Sequence, residues 1–273
     1  MSDSAVSDAI SLVLFHRRVR LFDSHPMSAA TSPRSLLKPL QTAALLRMTR
    51  KTLTDEQVAI AASSHNGEPD HLERVVDLAE ATGVDLAVLS VEPHRSLIAE
   101  LGIDNKSEPP TREANPCVGK HILAAHCAQS TGADYMDPDG PVERNCRRYI
   151  RQSCRIGREL TPTPDGCGFP TYALTDSELA TGLCSLLLSE DFYDKKVVKS
   201  LANHPYLVGG RGRVVTDVVL TGDALFAKDG VGGRFAVAYP NGVVAVGRSA
   251  RDDQESLASA LHEAQSLARR YAS

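Results

Sequence analysis

Residues 32–41 read Ser-Pro-Arg-Ser-Leu-Leu-Lys-Pro-Leu-Gln. If a helix begins near Ser35, then Ser35 and Lys38 share one face, because helical residues three apart are neighbours. A lysine whose pKa is lowered by desolvation can take the proton of the hydroxyl and create a nucleophile. Alternatively, Ser35 caps the helix and Lys38 is a solvated charge. The motif occurs often by chance, so on its own it leaves both readings open.

A second polar stretch, Ser64-His65-Asn66-Gly67-Glu68, lies between two helical patterns. Binding groups often collect in such connections. Gly67 permits a backbone conformation that brings polar groups close to a ligand. The alternative is a solvated loop in which Glu68 and the following proline begin the next helix.

Two further segments carry metal-ligating residue types. One contains Cys117 and His121, and the other contains Asp165 and Cys167. Two cysteines, a histidine and an aspartate on two glycine-containing loops can meet at one zinc-like site. No C-x-x-C pair is present, so the spacing is not that of a zinc finger, and two tight turns with free thiols remain the alternative.

The secondary structure reads as mixed α/β with more helix than strand. Capping boxes at Thr54 and Thr175 predict helix starts. Helical periodicity covers 69–82, 141–155 and 253–271. The Asn241-Gly242 pair predicts a hairpin between apolar strands at 234–239 and 243–246, and residues 84–91 read as a further strand.

Bulk composition excludes several classes. The 273 residues carry a net charge of −4, which gives no electrostatic footprint for nucleic acid or an anionic membrane. No apolar run approaches the roughly 20 residues of a membrane span. The N-terminus places acids before its apolar stretch and basic residues after it, the reverse of a secretory signal. We therefore expect a cytoplasmic protein with reduced cysteines.

Six motifs in order carry a resemblance to a known family. They are Arg34–Gln41, Ser64–Pro69, Cys117–His121, Tyr135–Val142, Asp165–Pro170 and Gly209–Arg213. In order and spacing they resemble the L-asparaginase II family, the serine-dependent, rhizobial-type asparaginases. The resemblance runs from about residue 33 to residue 238.

The resemblance implies a fold and an activity. The fold would be α/β (α+β), a central, mostly antiparallel sheet flanked by helices, similar to the serine β-lactamases and penicillin-binding proteins. Residues 1–30 would be a divergent N-terminal segment and 31–273 the catalytic domain. The activity would be hydrolysis of L-asparagine to L-aspartate and ammonia, in a homodimer.

The resemblance also implies residue roles. Ser35 would be the nucleophile, Lys38 its base and Ser64 a second catalytic hydroxyl. Five residues would line the substrate pocket: Arg34, His65, Glu68, His121 and Asp165. A zinc ion would be held by Cys117, Lys120 and Cys167; a lysine ligand must be neutral, so the metal would depress its pKa.

The sequence is also compatible with other functions. The chain departs from the family pattern at Lys228–Gly233, which lacks the expected glutamate, and at Val246, where a lysine is usual. These departures favour a zinc- or amino-acid-binding pseudoenzyme without turnover. Hydrolysis of another small amide, such as glutamine, is a further alternative. A β-lactam-type acyl enzyme is disfavoured by the absence of a secretion signal.

Overall fold

A five-stranded sheet forms the centre of the computed structural model, which describes residues 10–25, 29–97 and 109–271. The strands are β1 (Ser11–His16), β2 (Val19–Asp23), β5 (Phe226–Gly230), β6 (Arg234–Ala238) and β7 (Val243–Arg248). Their order is β2-β1-β7-β6-β5, and each neighbouring pair is antiparallel. A separate short hairpin joins β3 (Thr163–Pro164) to β4 (Pro170–Thr171).

Helices surround this sheet. Within the described residues they are α1 (Lys38–Leu46), α2 (Asp55–Ala61), α3 (Pro69–Thr82), α4 (Val118–Gln129), α5 (Pro141–Ser153), α6 (Asp176–Leu187), α7 (Phe192–Asn203), α8 (Pro205–Val208), α9 (Val214–Leu220) and α10 (Gln254–Tyr271). The sequence prediction of a mainly antiparallel sheet flanked by helices is confirmed.

The sheet separates two apolar cores. Because successive strand residues point to opposite faces, Val13 and Phe15 of β1 pack with the core of α1 to α7. Leu12 and Leu14 of the same strand pack on the other side with α9 and α10. The central strand β7 is therefore apolar on both faces, and the helical layer on the first face carries most of the candidate site.

Local sequence signals account for most element boundaries. Both predicted capping boxes form: Thr54 accepts from Gln57 N and Thr175 from Glu178 N, each with the reciprocal bond. Gly83 ends α3 in the left-handed conformation, and the Asn241-Gly242 turn joins β6 to β7. Helices α3, α5 and α10 lie where the periodicity predicts them.

The strand predicted at 84–91 is wrong. The segment contains a short 3₁₀ helix, Leu86–Val88, whose start is capped by Asp85 accepting from Ala87 N at 2.8 Å. Val88 is 67% exposed, so this apolar run does not form the buried face that a strand needs. The capping aspartate was the missed signal, because Asp favours turns and helix starts over strands.

The N-terminal segment takes part in the central sheet. Residues 11–23 form β1 and β2, and β1 pairs with β7 over six residues. Residues 1–9 and 26–28 of the predicted divergent segment lie outside the described residues. Within the described part of the chain, no helix combines the length and apolarity needed to cross a bilayer.

Candidate active site

Ser35 lies in a one-turn 3₁₀ helix, Arg34–Leu37, and α1 begins three residues later at Lys38. The regular helix therefore starts after the serine and not at it. Arg34 has φ of 55°, a left-handed conformation that costs a non-glycine residue on the order of 1–3 kcal/mol. This strained turn presents Ser35 to a cavity of about 420 Å³ that Ser64 also lines.

The ammonium group of Lys38 is buried among acceptors. It donates to Ser63 O at 2.5 Å, to Pro116 O at 2.8 Å and to Ser64 Oγ at 3.0 Å. No hydrogen bond joins it to the Ser35 hydroxyl, although both residues lie in the described part of the chain. Burial, with the nearby charge of Lys120, lowers the pKa of Lys38.

A second buried lysine reaches the same hydroxyl. Lys228 on β5 shares the inward face with Phe226, two residues earlier, and its Nζ donates to Ser64 Oγ at 3.0 Å. Burial and the charge of Lys38 hold the pKa of Lys228 well below its usual range. Two amines this close cannot both stay protonated at low cost, so the contact favours the neutral form of one of them.

The cavity wall beside Ser64 is strongly polar. Arg213 pairs with Asp229 at 2.6 Å and donates to Asn66 Oδ1 at 3.3 Å. Both partners of that ion pair line the cavity. Asp229 follows Lys228 directly, so the ion pair fixes the end of β5 that presents the second lysine.

Glu68 is occupied by protein groups. Its carboxylate accepts from Arg211 N at 2.7 Å, Tyr206 Oη at 3.0 Å and Asn66 Nδ2 at 3.3 Å. A Cβ at Gly210 would lie 2.5 Å from this carboxylate. Glu68 therefore stabilises the loop that ends at Arg213. Its side chain does not border the cavity.

His65 and His121 are fully buried and do not border the cavity either. His65 Nδ1 accepts from Gly67 N at 3.0 Å, and its ring stacks on His71. His121 Nδ1 lies 3.1 Å from Tyr135 Oη. Burial holds the pKa of both imidazoles well below its usual range, so both rings are neutral at pH 7.

Arg34 and Asp165 form an ion pair of 2.9 Å. The guanidinium lies over Gly166, where a Cβ would meet Arg34 Nη2 at 2.5 Å. The aspartate begins the loop between β3 and β4, which also carries Cys167. The structure therefore joins the residue before Ser35 to the loop of the candidate metal ligands.

The three candidate metal ligands converge. Cys117 precedes α4 and Lys120 lies one turn later on the same face, while Cys167 approaches from the β3–β4 loop. Lys120 Nζ donates to Cys167 Sγ at 3.5 Å and lies 4.6 Å from the centre of the Phe169 ring. No described group of three His, Cys, Asp or Glu side chains is arranged for a metal, so a metal site here would need the amine as a third donor.

The two thiols are joined by a hydrogen bond that shifts their pKa values in opposite directions. A hydrogen bond from Cys167, with the charges of Lys38 and Lys120, lowers the pKa of Cys117 well below its usual range. The same hydrogen bond raises the pKa of Cys167. Burial lowers the pKa of Lys120, but the neighbouring Cys167 and Cys117 raise it by more, so its pKa lies above the usual value in the absence of metal. Two sulfurs and an amine are donor types that zinc binds, and the amine would have to lose its proton to become a ligand.

Sequence reasoning missed Lys228, Arg213 and Asp229 as members of the site. Phe226-Ala-Lys-Asp-Gly230 is a buried strand interrupted by two charges. A lysine in such a position is rarely buried without a function, and that was the available signal. The partner of Lys228 is 164 residues away, so no local spacing could reveal the contact.

Comparison with known proteins agrees with this architecture. No curated protein sequence matches the chain. The family model of L-asparaginase II matches residues 10–264, which includes β1, both serines, both buried lysines and the converging thiols. The family supports an asparaginase-type amidohydrolase, and with a match over nearly its whole length, the chain belongs to the L-asparaginase II family.

Proposed function

We propose that the protein hydrolyses L-asparagine to L-aspartate and ammonia, with Ser35 as nucleophile. The observation that supports this most directly is the pair of buried lysines, Lys38 and Lys228, on the hydroxyl of Ser64. Ser64 borders the same cavity as Ser35 and receives a hydrogen bond from each lysine. Such an arrangement is expensive for folding, because it buries two amines beside each other.

In this proposal the proton moves through the contact between Ser64 and the two lysines. With one amine neutral, the pair accepts the proton of Ser35 through Ser64 as Ser35 Oγ attacks the side-chain amide carbon. The carbon–nitrogen bond then breaks, the proton passes back through Ser64 to the leaving ammonia, and Ser35 holds the aspartyl ester. Water hydrolyses this ester by the same path in reverse and restores Ser35. Lys38 keeps its proposed role as base, now acting through Ser64.

L-Asparagine is a zwitterion and needs both charges compensated. The Arg34–Asp165 ion pair adjoins Ser35 and supplies one group of each sign, although neither side chain lines the cavity in this structure. In this proposal the two groups separate on substrate binding, with the guanidinium suited to a bidentate carboxylate and the aspartate to the α-ammonium. Glu68 supports binding indirectly in this proposal, by holding the loop of Arg213. His65 and His121 act as neutral packing and hydrogen-bonding groups around the site.

Cys117, Lys120 and Cys167 would hold a zinc ion. Their contact, and the thiolate character of Cys117, make the donor set suitable. Bound zinc would supply a fixed positive charge beside Lys38, which hydrogen-bonds Cys117. That charge would favour the neutral form of the amine that the proton path requires.

We further propose a cytoplasmic homodimer. The location is supported by the six free cysteines of the described residues, which suit a reducing compartment, and the dimer rests on the family resemblance alone. Size-exclusion chromatography with light scattering measures the oligomer directly, and a monomer at working concentration would contradict the dimer.

Ammonia release by the purified, zinc-loaded protein tests the activity, with L-asparagine and L-glutamine compared. We expect Ser35→Ala to abolish turnover of L-asparagine and Ser64→Ala to reduce it by about 10²–10⁴-fold. Ser63→Ala is the matched control, because its hydroxyl bonds Ile60 O at 2.8 Å and does not border the cavity.

The outcomes separate the alternatives. Full activity of Ser35→Ala, with loss in Ser64→Ala, would move the nucleophile to Ser64. Faster turnover of L-glutamine would change the substrate. Binding of L-asparagine without ammonia release by the parent protein would contradict the enzyme and favour the pseudoenzyme.

A further inference from the structure

Helix α5 carries a row of arginines that the proposed reaction does not use. Arg144, Arg147, Arg148, Arg151 and Arg155 line one groove of about 750 Å³. The first four follow one another at helical spacing, so their side chains project from one side of the helix, and Arg155 lies just beyond the end of the helix. The four helical arginines span about 10 Å at the rise of an α-helix.

The carboxylates around this groove do not balance its charge. Arg147 pairs with buried Glu143 at 3.3 Å, and Arg151 pairs with Glu159 at 2.9 Å. Among the residues that the structure describes, Arg148 donates to the amide oxygen of a neighbouring asparagine, at 2.8 Å, and has no carboxylate partner. Five arginines thus face two carboxylates, in a chain whose net charge is −4.

Such a row is costly without an anion. Like charges one helical turn apart repel each other, and here they recur along the whole groove. Guanidinium groups present planar forks that match phosphate oxygens in pairs. An anion with several charges at phosphate spacing would remove the repulsion and satisfy donors that now face solvent.

The shape of the groove limits the size of that anion. Its volume lies within the range of small-molecule sites, about 300–1,000 Å³. Its apolar wall includes Ile156, too little for insertion into a membrane surface. The rest of the chain carries a net negative charge, which opposes binding of a long nucleic acid.

We propose that the arginine groove of α5 binds a small molecule with two or more linked phosphates. The phosphates lie along Arg144, Arg148 and Arg151, where the donors are free of buried partners. A nucleoside triphosphate and an inorganic oligophosphate share this chemistry. In the first case the base lies against Ile156 and the flat face of a guanidinium.

Isothermal titration calorimetry with ATP, AMP and inorganic triphosphate tests the proposal at low and high ionic strength. The test variant is Arg148→Gln with Arg151→Gln, which leaves Arg147 to hold buried Glu143. The matched control is Arg50→Gln with Lys51→Gln, which removes two exposed charges elsewhere. Thermal unfolding of both variants checks that the fold is kept.

We expect saturable one-to-one binding of ATP or triphosphate that the test variant weakens at least tenfold and the control leaves unchanged. Tighter binding of ATP identifies a nucleotide, and equal or tighter binding of triphosphate identifies a free oligophosphate. Either result supports the site. No saturable binding, or equal binding by the test variant, overturns it. Arg155→Asn, which suits the left-handed backbone at φ of 55°, provides a second variant.

Discussion

Replacing Lys228 by methionine is expected to stabilise the protein while it removes turnover. The Lys228 ammonium is buried, bonds Ser64 Oγ at 3.0 Å and faces Lys38, Asp229 and Arg213. Its pKa is held well below the usual range, so the unfolded chain binds more protons than the folded one. The lysine therefore costs stability below its unfolded pKa of about 10.4, and the cost grows as the pH falls towards the folded pKa.

The size of the effect follows from two opposing contributions. Replacing buried ionic groups by apolar ones of similar volume gains about 1–4 kcal/mol. Loss of the hydrogen bond to Ser64 gives back about 1 kcal/mol. We expect the free energy of unfolding to rise by about 1–3 kcal/mol at pH 7, and the gain to shrink above pH 9. Turnover should fall by about 10²–10⁴-fold, as for loss of a proton-transfer group.

Urea unfolding at pH 7 and pH 9.5, with ammonia release from L-asparagine, measures both quantities. Lys51→Met is the control, because Lys51 is exposed and should change neither. A Lys228→Met protein that is less stable at pH 7 and keeps its activity would refute the reasoning, since Lys228 would then be a structural group.

Three further predictions concern the surroundings of the site. Gly210→Ala should destabilise the protein, because the residue has a φ of 120° and the new Cβ would lie 2.5 Å from Glu68 Oε1. The loss should exceed that of Gly83→Ala, whose Cβ meets no atom and which carries only the left-handed cost of about 1–2 kcal/mol. Thermal unfolding compares the two variants, and equal losses would contradict the Glu68 contact. Cys167→Ser should lower the bound zinc, as measured by elemental analysis. Cys127→Ser, in the apolar core, is the control and should keep its zinc. Equal zinc contents in the two variants would contradict the proposed site. Two lysines of α7 lower the pKa of Asp55, so its stabilisation is present above its unfolded pKa and lost as the pH falls through the folded one. Asp55→Asn should therefore cost about 0.5 kcal/mol at pH 7 and less at pH 2, and an equal cost at both values would contradict the ion pair.

The sequence predicts the fold where local chemistry decides the structure. Capping boxes and helical periodicity locate α2, α3, α6 and α10, and the Asn241-Gly242 turn sets the register of β6 and β7. The segment 84–91 fails because its apolar residues form no continuous buried face, and a single aspartate cap then determines the conformation. Strand β1 could not be placed in the sheet in advance, because its second partner, β7, lies more than 220 residues away.

The site divides in the same way. Ser35, Ser64 and the Cys117–Lys120 pair belong to motifs with internal spacing, so they can be found by reading along the chain. Lys228 acts through a contact between distant segments and shows no spacing of its own. The contacts of Glu68 illustrate the opposite case, where a residue in a conspicuous motif is bound by a backbone amide that only the folded chain supplies.

The pairing of β1 with β7 governs when the protein can complete its fold. Residues 11–16 precede their partners, residues 243–248, by more than 220 positions in the chain. Until both segments are made, β1 has only its hairpin partner β2, and non-local pairing of this kind slows folding and exposes intermediates to aggregation. Helix α10 follows β7 and covers the outer face of the β1–β7 pair, so the segment that completes the sheet also supplies the helix that buries it.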